Sequence, residues 1–169
     1  VISGLYVADN MNFTHAIQID ADGQHDLAAV TDFLDQAHHN PQALVCGYPI
    51  YDQTVPLSRL WGRELTNFWV HVNTRSKALR DAMCGFRVYP LAQTLPVLPS
   101  VKTRRMDFDP DIVVRLIWAG VTVINRPVRV TYPKDGISHF RGFSDNMRIS
   151  RLHAGHFCTM LLRRMGLAK

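Results

Sequence analysis

The chain has 169 residues, a length that suits one domain. Its 47% hydrophobic and 20% charged residues fit a packed globular protein rather than a disordered one. No run approaches the ~18–20 uninterrupted apolar residues of a membrane-spanning helix. The net charge of +5 is unevenly spread: residues 1–125 hold ten Lys/Arg against twelve Asp/Glu, and residues 126–169 hold nine against two. A basic C-terminal third suits an anionic partner, either a phosphate-bearing membrane surface or nucleic acid; a merely solvated basic face is the other reading. Nucleic acid is not expected, because there is no helix-turn-helix signature, RNP aromatic set, zinc finger or lysine-rich arm. Cys46, Cys84 and Cys158 form no C-x-x-C pair. That disfavours a disulfide framework or a structural zinc site and fits a reducing compartment.

In chain order, residues 15–20 predict a short buried strand ending in acidic residues. Asp26 then caps a helix carrying Leu27, Val30, Phe33, Leu34 and Ala37 at helical spacing, stopped by Asn40-Pro41. Residues 43–47 predict a second strand, completing a strand–helix–strand unit of α/β type. A loop with two prolines spans 48–56, and a long amphipathic helix follows over 59–77. Residues 81–87 predict a turn feeding a short strand at 87–89. A helix over 112–119 is announced by the cap Asp109, Pro110 at its first position and the stop Gly120. Two valine-rich strands are expected at 121–125 and 128–132. The last stretch, 143–165, predicts a helix with Phe143, Met147, Ala154, Cys158, Leu161 and Met165 on one face and Arg148 and Arg163 opposite. That face either packs on the domain or lies in a membrane interface.

Asp20-Ala21-Asp22 stands where a strand gives way to a loop. Two carboxylates one residue apart can turn toward one divalent cation, and hard oxygen donors suit Mg²⁺ or Mn²⁺. A calcium EF-hand counted from Asp20 fails, since its sixth and twelfth positions hold His25 and Thr31 rather than glycine and glutamate. With thirteen aspartates, D-x-D also arises by chance, as at Asp107/Asp109 and Asp109/Asp111.

Context separates the first D-x-D from the others. The string Gln18-Ile19-Asp20-Ala21-Asp22-Gly23-Gln24-His25-Asp26 resembles the metal-binding signature of family 2 glycosyltransferases of GT-A fold, most of all the polyprenyl-phosphate sugar synthase branch. The resemblance continues in order through Gly47, Arg59 and Arg63 and the turn Asp81-Ala82-Met83-Cys84-Gly85-Phe86-Arg87. It then takes in residues 105–109, Arg126-Pro127-Val128 and Gly136-Ile137-Ser138-His139-Phe140. It covers essentially the whole chain from Phe13 to about Phe157. Two departures stand out: Asp111 replaces a glutamate common in relatives, and the family's first strand and glycine-containing nucleotide loop do not precede Val1. The expectation is therefore an α/β fold with a GT-A-type, Rossmann-like mixed sheet flanked by helices and truncated at the N-terminus. Residues 1–142 would form the C-terminal part of the catalytic domain and 143–169 a basic amphipathic helix.

The resemblance implies an inverting, metal-dependent glycosyltransferase that takes a sugar from a nucleotide diphosphate sugar. Its acceptor would be a polyprenyl phosphate, another membrane-associated lipid or a hydroxyl, and its place the cytoplasmic side of a membrane as a peripheral protein. Asp20, Asp22 and Gln24 would hold Mg or Mn, whose charge offsets that of the leaving diphosphate. A hydroxyl acceptor needs a base, for which Asp109 and Asp111 are the candidates. A phosphate acceptor needs cations instead, which Arg59, Arg63 and Arg87 would supply. Asp81, Ser138 and His139 complete the implied substrate-binding set. Bland roles stand beside these: surface pairing for the arginines, a helix cap for Asp109, a turn brace for Asp81 and a structural role for His139. His153 and His156 lie at i, i+3 but lack a third metal ligand. A nucleotidyltransferase-like enzyme and a degenerate, non-catalytic membrane- or partner-binding domain are the rival functions.

Overall fold

Alternating apolar runs and polar turns build one mixed sheet from β1 (His15–Ile19), β2 (Leu44–Tyr51), β3 (Phe86–Pro90) and β4 (Val123–Val130). The computed structural model describes residues 1–51, 57–131 and 142–167, with the backbone alone at 57–59. Among these residues the strand order is β1-β3-β2-β4. β3 runs antiparallel to both β1 and β2, while β4 runs parallel to β2. The carboxyl ends of β1, β2 and β4 therefore share one edge of the sheet with the amino end of β3. Ligands of open α/β sheets bind along such an edge.

The helices are α1 (Ile2–Asn10), α2 (Val30–His39), α3 (Leu57–Thr74), the single turn α4 (Leu91–Thr94), α5 (Phe108–Trp118) and α6 (Gly142–Arg164). Strand alternation divides the core in two. Leu44, Cys46 and Tyr89 face Val70 of α3 and Ile112 and Leu116 of α5. Val45, Phe86 and Val88 face Phe33 and Ala37 of α2. The result is the expected α/β class, a four-stranded mixed sheet flanked by helices.

Local differences from the expected elements have physical causes. The two strands expected at 121–125 and 128–132 are one, β4, running through Pro127. Proline is tolerated because β4 is the edge strand among the described residues, so its missing N–H leaves no ladder partner unsatisfied on the open side. α5 begins at Phe108 with Asp107 at the cap position, which places Asp109 and Asp111 inside the first helical turn. Asp26 caps as expected, accepting a hydrogen bond from the Ala28 amide, but the first turn it caps is 3-10 before α2 proper.

α6 is oriented opposite to a simple packing helix. Its buried residues are Asp145, Ile149, His153 and His156, whereas Phe143, Met147 and Leu161 are exposed. Each inward polar group meets a partner, although among the described residues His153 Nε2 and His156 Nδ1 are buried without one. Asp145 meets Arg105, His153 meets Asn73 and the Trp69 ring, and His156 meets Asp111.

Candidate active site

Asp20 follows the last residue of β1, and its amide donates to the Gly85 carbonyl at 3.1 Å. That bond extends the β1–β3 ladder beyond Ile19↔Phe86 and lays the Asp20 carboxylate directly over Gly85. A Cβ at residue 85 would overlap that carboxylate, so the approach requires glycine. The aspartate of the acidic motif and the glycine of the later turn are thus one structural unit.

The loop beyond Asp20 is shaped by its own polar groups. Asp22 Oδ1 accepts from the Gln24 amide at 3.0 Å, and Gly23 takes φ +71 between them. The Gln24 carbonyl accepts from the Thr131 amide, and the Asp26 amide donates to the Arg129 carbonyl. These bonds pin the acidic loop to the end of β4. Asp22 is exposed, and the Asp20 side chain is 45% exposed, so both carboxylates reach solvent on the shared strand edge. His25 Nε2 lies 3.9 Å from Asp20 Oδ2, and the ring packs edge-on against Phe86. The histidine beside it holds the Asp20 carboxyl below the usual carboxylate range, against the opposing effect of burial.

Behind the acidic loop lies a buried polar relay. Gln18, two residues before Asp20 and paired in register with Arg87, donates from Nε2 to Asp109 Oδ1 and accepts from the Tyr89 hydroxyl. Arg87 is fully buried; its Nη1 lies 3.1 Å from Asp109 Oδ1 and its Nη2 donates to the Ala82 carbonyl at 2.8 Å. Burial pushes the Asp109 carboxyl up, Arg87 opposes this, and the negative charge of Asp20 adds to the rise. Gln18 and Tyr89 were not anticipated from sequence. The available signal was a lone amide between Ile17 and Ile19.

Asp81 and Arg63 form a second unit beside the first. Asp81 is buried, and its Oδ1 accepts from Arg63 Nη1 at 2.7 Å and from the Met83 amide at 2.8 Å. One carboxylate therefore both braces the turn into Gly85 and fixes an arginine of α3. Arg63 and Asp81 line a cleft of about 300 Å³ with Tyr48, Pro49, Tyr51 and Leu60, at the carboxyl end of β2. Arg80 joins the same cleft, its guanidinium 4.5 Å above the Tyr48 ring.

The expected site residues thus fall into distinct settings. Asp20, Asp22 and Gln24 share one loop; Asp109 and Arg87 lie behind it; Asp81 and Arg63 lie to the side. Asp111 stands apart from all of them. It is 1% exposed, its Oδ1 meets Arg115 and His156, and its Oδ2 accepts from Thr103. Although burial opposes it, these donors hold the Asp111 carboxyl below its ordinary range. Its carboxylate ties α5 to α6 through His156 and to the segment before α5 through Thr103, and pairs within α5 with Arg115. Ser138, His139 and the Arg59 side chain lie outside the described residues.

Among the described residues, no three His, Cys, Asp or Glu side chains are gathered to cage a metal. A cation held by one or two carboxylates plus substrate phosphates does not need such a cage. The hard oxygens of Asp20 and Asp22, both open to solvent, fit that kind of binding.

The chain is similar to a dolichyl-phosphate beta-glucosyltransferase of Dictyostelium discoideum, with 24% identity over 106 residues, or 58% of the chain. It covers 32% of that relative's length. No family model matches the chain.

Proposed function

We propose that the chain is part of an inverting, metal-dependent glycosyltransferase of the family 2 type. It would move a sugar from a nucleotide diphosphate sugar to a polyprenyl phosphate or another membrane-associated lipid, as a peripheral protein on the cytoplasmic face. One observation carries this: the Asp20-x-Asp22 loop sits at the carboxyl edge of three parallel strands, seated on the Gly85 turn, with the Arg87–Asp109 pair behind it. The named activity of the Dictyostelium relative points the same way.

Asp22, with Asp20 and Gln24, would hold Mg²⁺ or Mn²⁺, which when bound supplies positive charge to the departing diphosphate. The chain's own residues prepare the site. Gly85 sets the position of Asp20, and the Gln24 and Asp26 backbone bonds hold the loop to β4. Arg87 anchors Asp109 from inside, so Asp109 presents the carboxyl nearest the acidic loop among those on α5. With a hydroxyl acceptor Asp109 would take the proton; an anionic phosphate acceptor needs none. Arg63, oriented by Asp81, and Arg80, placed over Tyr48, supply guanidinium donors in the adjoining cleft, where the acceptor's polar end would dock.

The test is Mn²⁺-dependent release of nucleoside diphosphate from a panel of UDP- and GDP-sugars, with and without polyprenyl phosphate. Release stimulated by the lipid is expected. Metal-dependent release with no response to lipid would support the transferase and overturn the acceptor assignment.

A further inference from the structure

On α6 the apolar stripe lies diametrically opposite the buried face. At 100° per residue, Phe143, Met147, Ala154, Cys158, Leu161 and Met165 fall within one narrow sector, and Asp145, Ile149, His153 and His156 fall across the helix from it. Phe143 is 84% exposed and Met165 61%. A helix ordinarily buries its apolar stripe, yet here the inward side is held by a carboxylate and two histidines, each with its own partner. α3, packed beside α6, repeats the pattern. Thr66, Asn67, Val70 and Asn73 face inward, while Trp61, Leu65 and Phe68 point out. Trp69 joins the two surfaces, with its ring 5.6 Å from Phe68 and 6.3 Å from Phe157.

Charge says what meets this face. Within residues 142–167 the only acid is Asp145, which is buried, while Arg148, Arg151, Arg163 and Arg164 are all cationic. The same helical geometry puts Arg151 and then Arg148 along one border of the stripe and Arg164 along the other. An apolar stripe bordered by arginines that can snorkel is the pattern of a helix lying in an anionic lipid interface, and the half-buried Trp69 against Phe157, with Trp61 exposed on α3, suits the headgroup region. A second copy of the chain would set these cations against one another.

We infer that the outward stripe of α6, together with Trp61, Leu65 and Phe68 of α3, docks the protein on an anionic phospholipid surface. This deepens the peripheral location proposed above and is independent of the transfer chemistry. It puts a named surface, rather than net charge alone, in contact with lipid.

The experiment is co-sedimentation of the full chain with vesicles of phosphatidylcholine alone and of phosphatidylcholine mixed with phosphatidylglycerol. Binding to the mixed vesicles only, weakened by salt, is expected. Met147→Ser with Leu161→Ser should weaken it roughly tenfold through lost apolar burial. Arg148→Glu with Arg151→Glu should weaken it at least about tenfold through lost attraction. Both variants should unfold at the wild-type temperature, because all four positions are exposed. Equal sedimentation of wild type and both variants would overturn the inference. So would a dimer in light scattering that the apolar variant abolishes while vesicle binding is absent. Asp22→Asn should bind vesicles as wild type does, so failure of the transferase reading and failure of this one are read separately.

Discussion

Gly85→Ala tests whether the approach of Asp20 to the turn matters. The Cβ of alanine would overlap the Asp20 carboxylate, while the Asp20 backbone is held by its bond to the residue 85 carbonyl and by the β1–β3 pairing. The side chain must therefore give way, by on the order of 1 Å, and misplacement of that size costs roughly 100-fold in rate. Stability should change little. Asp20 is half-exposed and can rotate into solvent at a cost of about 0.5–1.5 kcal/mol. Alanine returns about 0.4–1 kcal/mol by restricting the unfolded chain, since Gly85 has no left-handed φ. The assay pairs Mn²⁺-dependent release of nucleoside diphosphate with thermal unfolding of the same samples. A variant within twofold of wild-type activity would refute the reasoning, because the displaced carboxylate would then be dispensable.

Other predictions follow from the buried groups. Asp111→Asn weakens three contacts around a buried carboxylate and should destabilise the fold by about 3 kcal/mol in urea titration. Activity per folded molecule should hold; a specific loss of rate with no loss of stability would instead give Asp111 a chemical role. Burial, with His156 adding, lowers the His153 pKa from 6.5 to about 4, so the unfolded chain takes up that proton first. Stability is then lost as pH falls from about 6.5 toward 4, by about 3 kcal/mol in total. His153→Gln should flatten that slope, and an unchanged slope would contradict the assignment. Burial also pushes the Cys46 and Cys84 thiols up to about 12, whereas Cys158 is exposed, so only Cys158 should react with a maleimide in the folded protein.

Local signals in the sequence were enough for α2, α3, α5, α6 and β1, because apolar spacing and caps act within a few residues. β2 was read only to Gly47, and the stretch to Tyr51 expected as loop is strand, paired in register with β4 through Val130. The strand order was not legible, since β3 enters between β1 and β2 from a distant stretch of chain. Pro127 mimicked a break only because edge position is a tertiary property. The α6 stripe was visible, but its direction depended on three polar partners outside the helix: Arg105, Asn73 and Asp111. The site divides likewise. The acidic motif is contiguous and could be read directly, whereas the seat of Asp20 on Gly85 spans sixty-five residues of chain. Arg87 looked like a phosphate donor group from its type alone. The fold buries it completely and spends it on Asp109 and the Ala82 carbonyl.

The most direct measurement is transfer of labelled sugar from the UDP- and GDP-sugar panel to polyprenyl phosphate by the full-length protein and by Asp22→Asn, with Mn²⁺ present and after chelation. Asp22 is exposed, and among the described residues its carboxylate accepts from the Gln24 amide alone, so the variant should fold as wild type does. Transfer by wild type that is abolished equally by chelation and by Asp22→Asn is the predicted result. Transfer at the wild-type rate by Asp22→Asn, or transfer insensitive to chelation, would contradict a metal-assisted glycosyltransferase built on the Asp20–Asp22 loop.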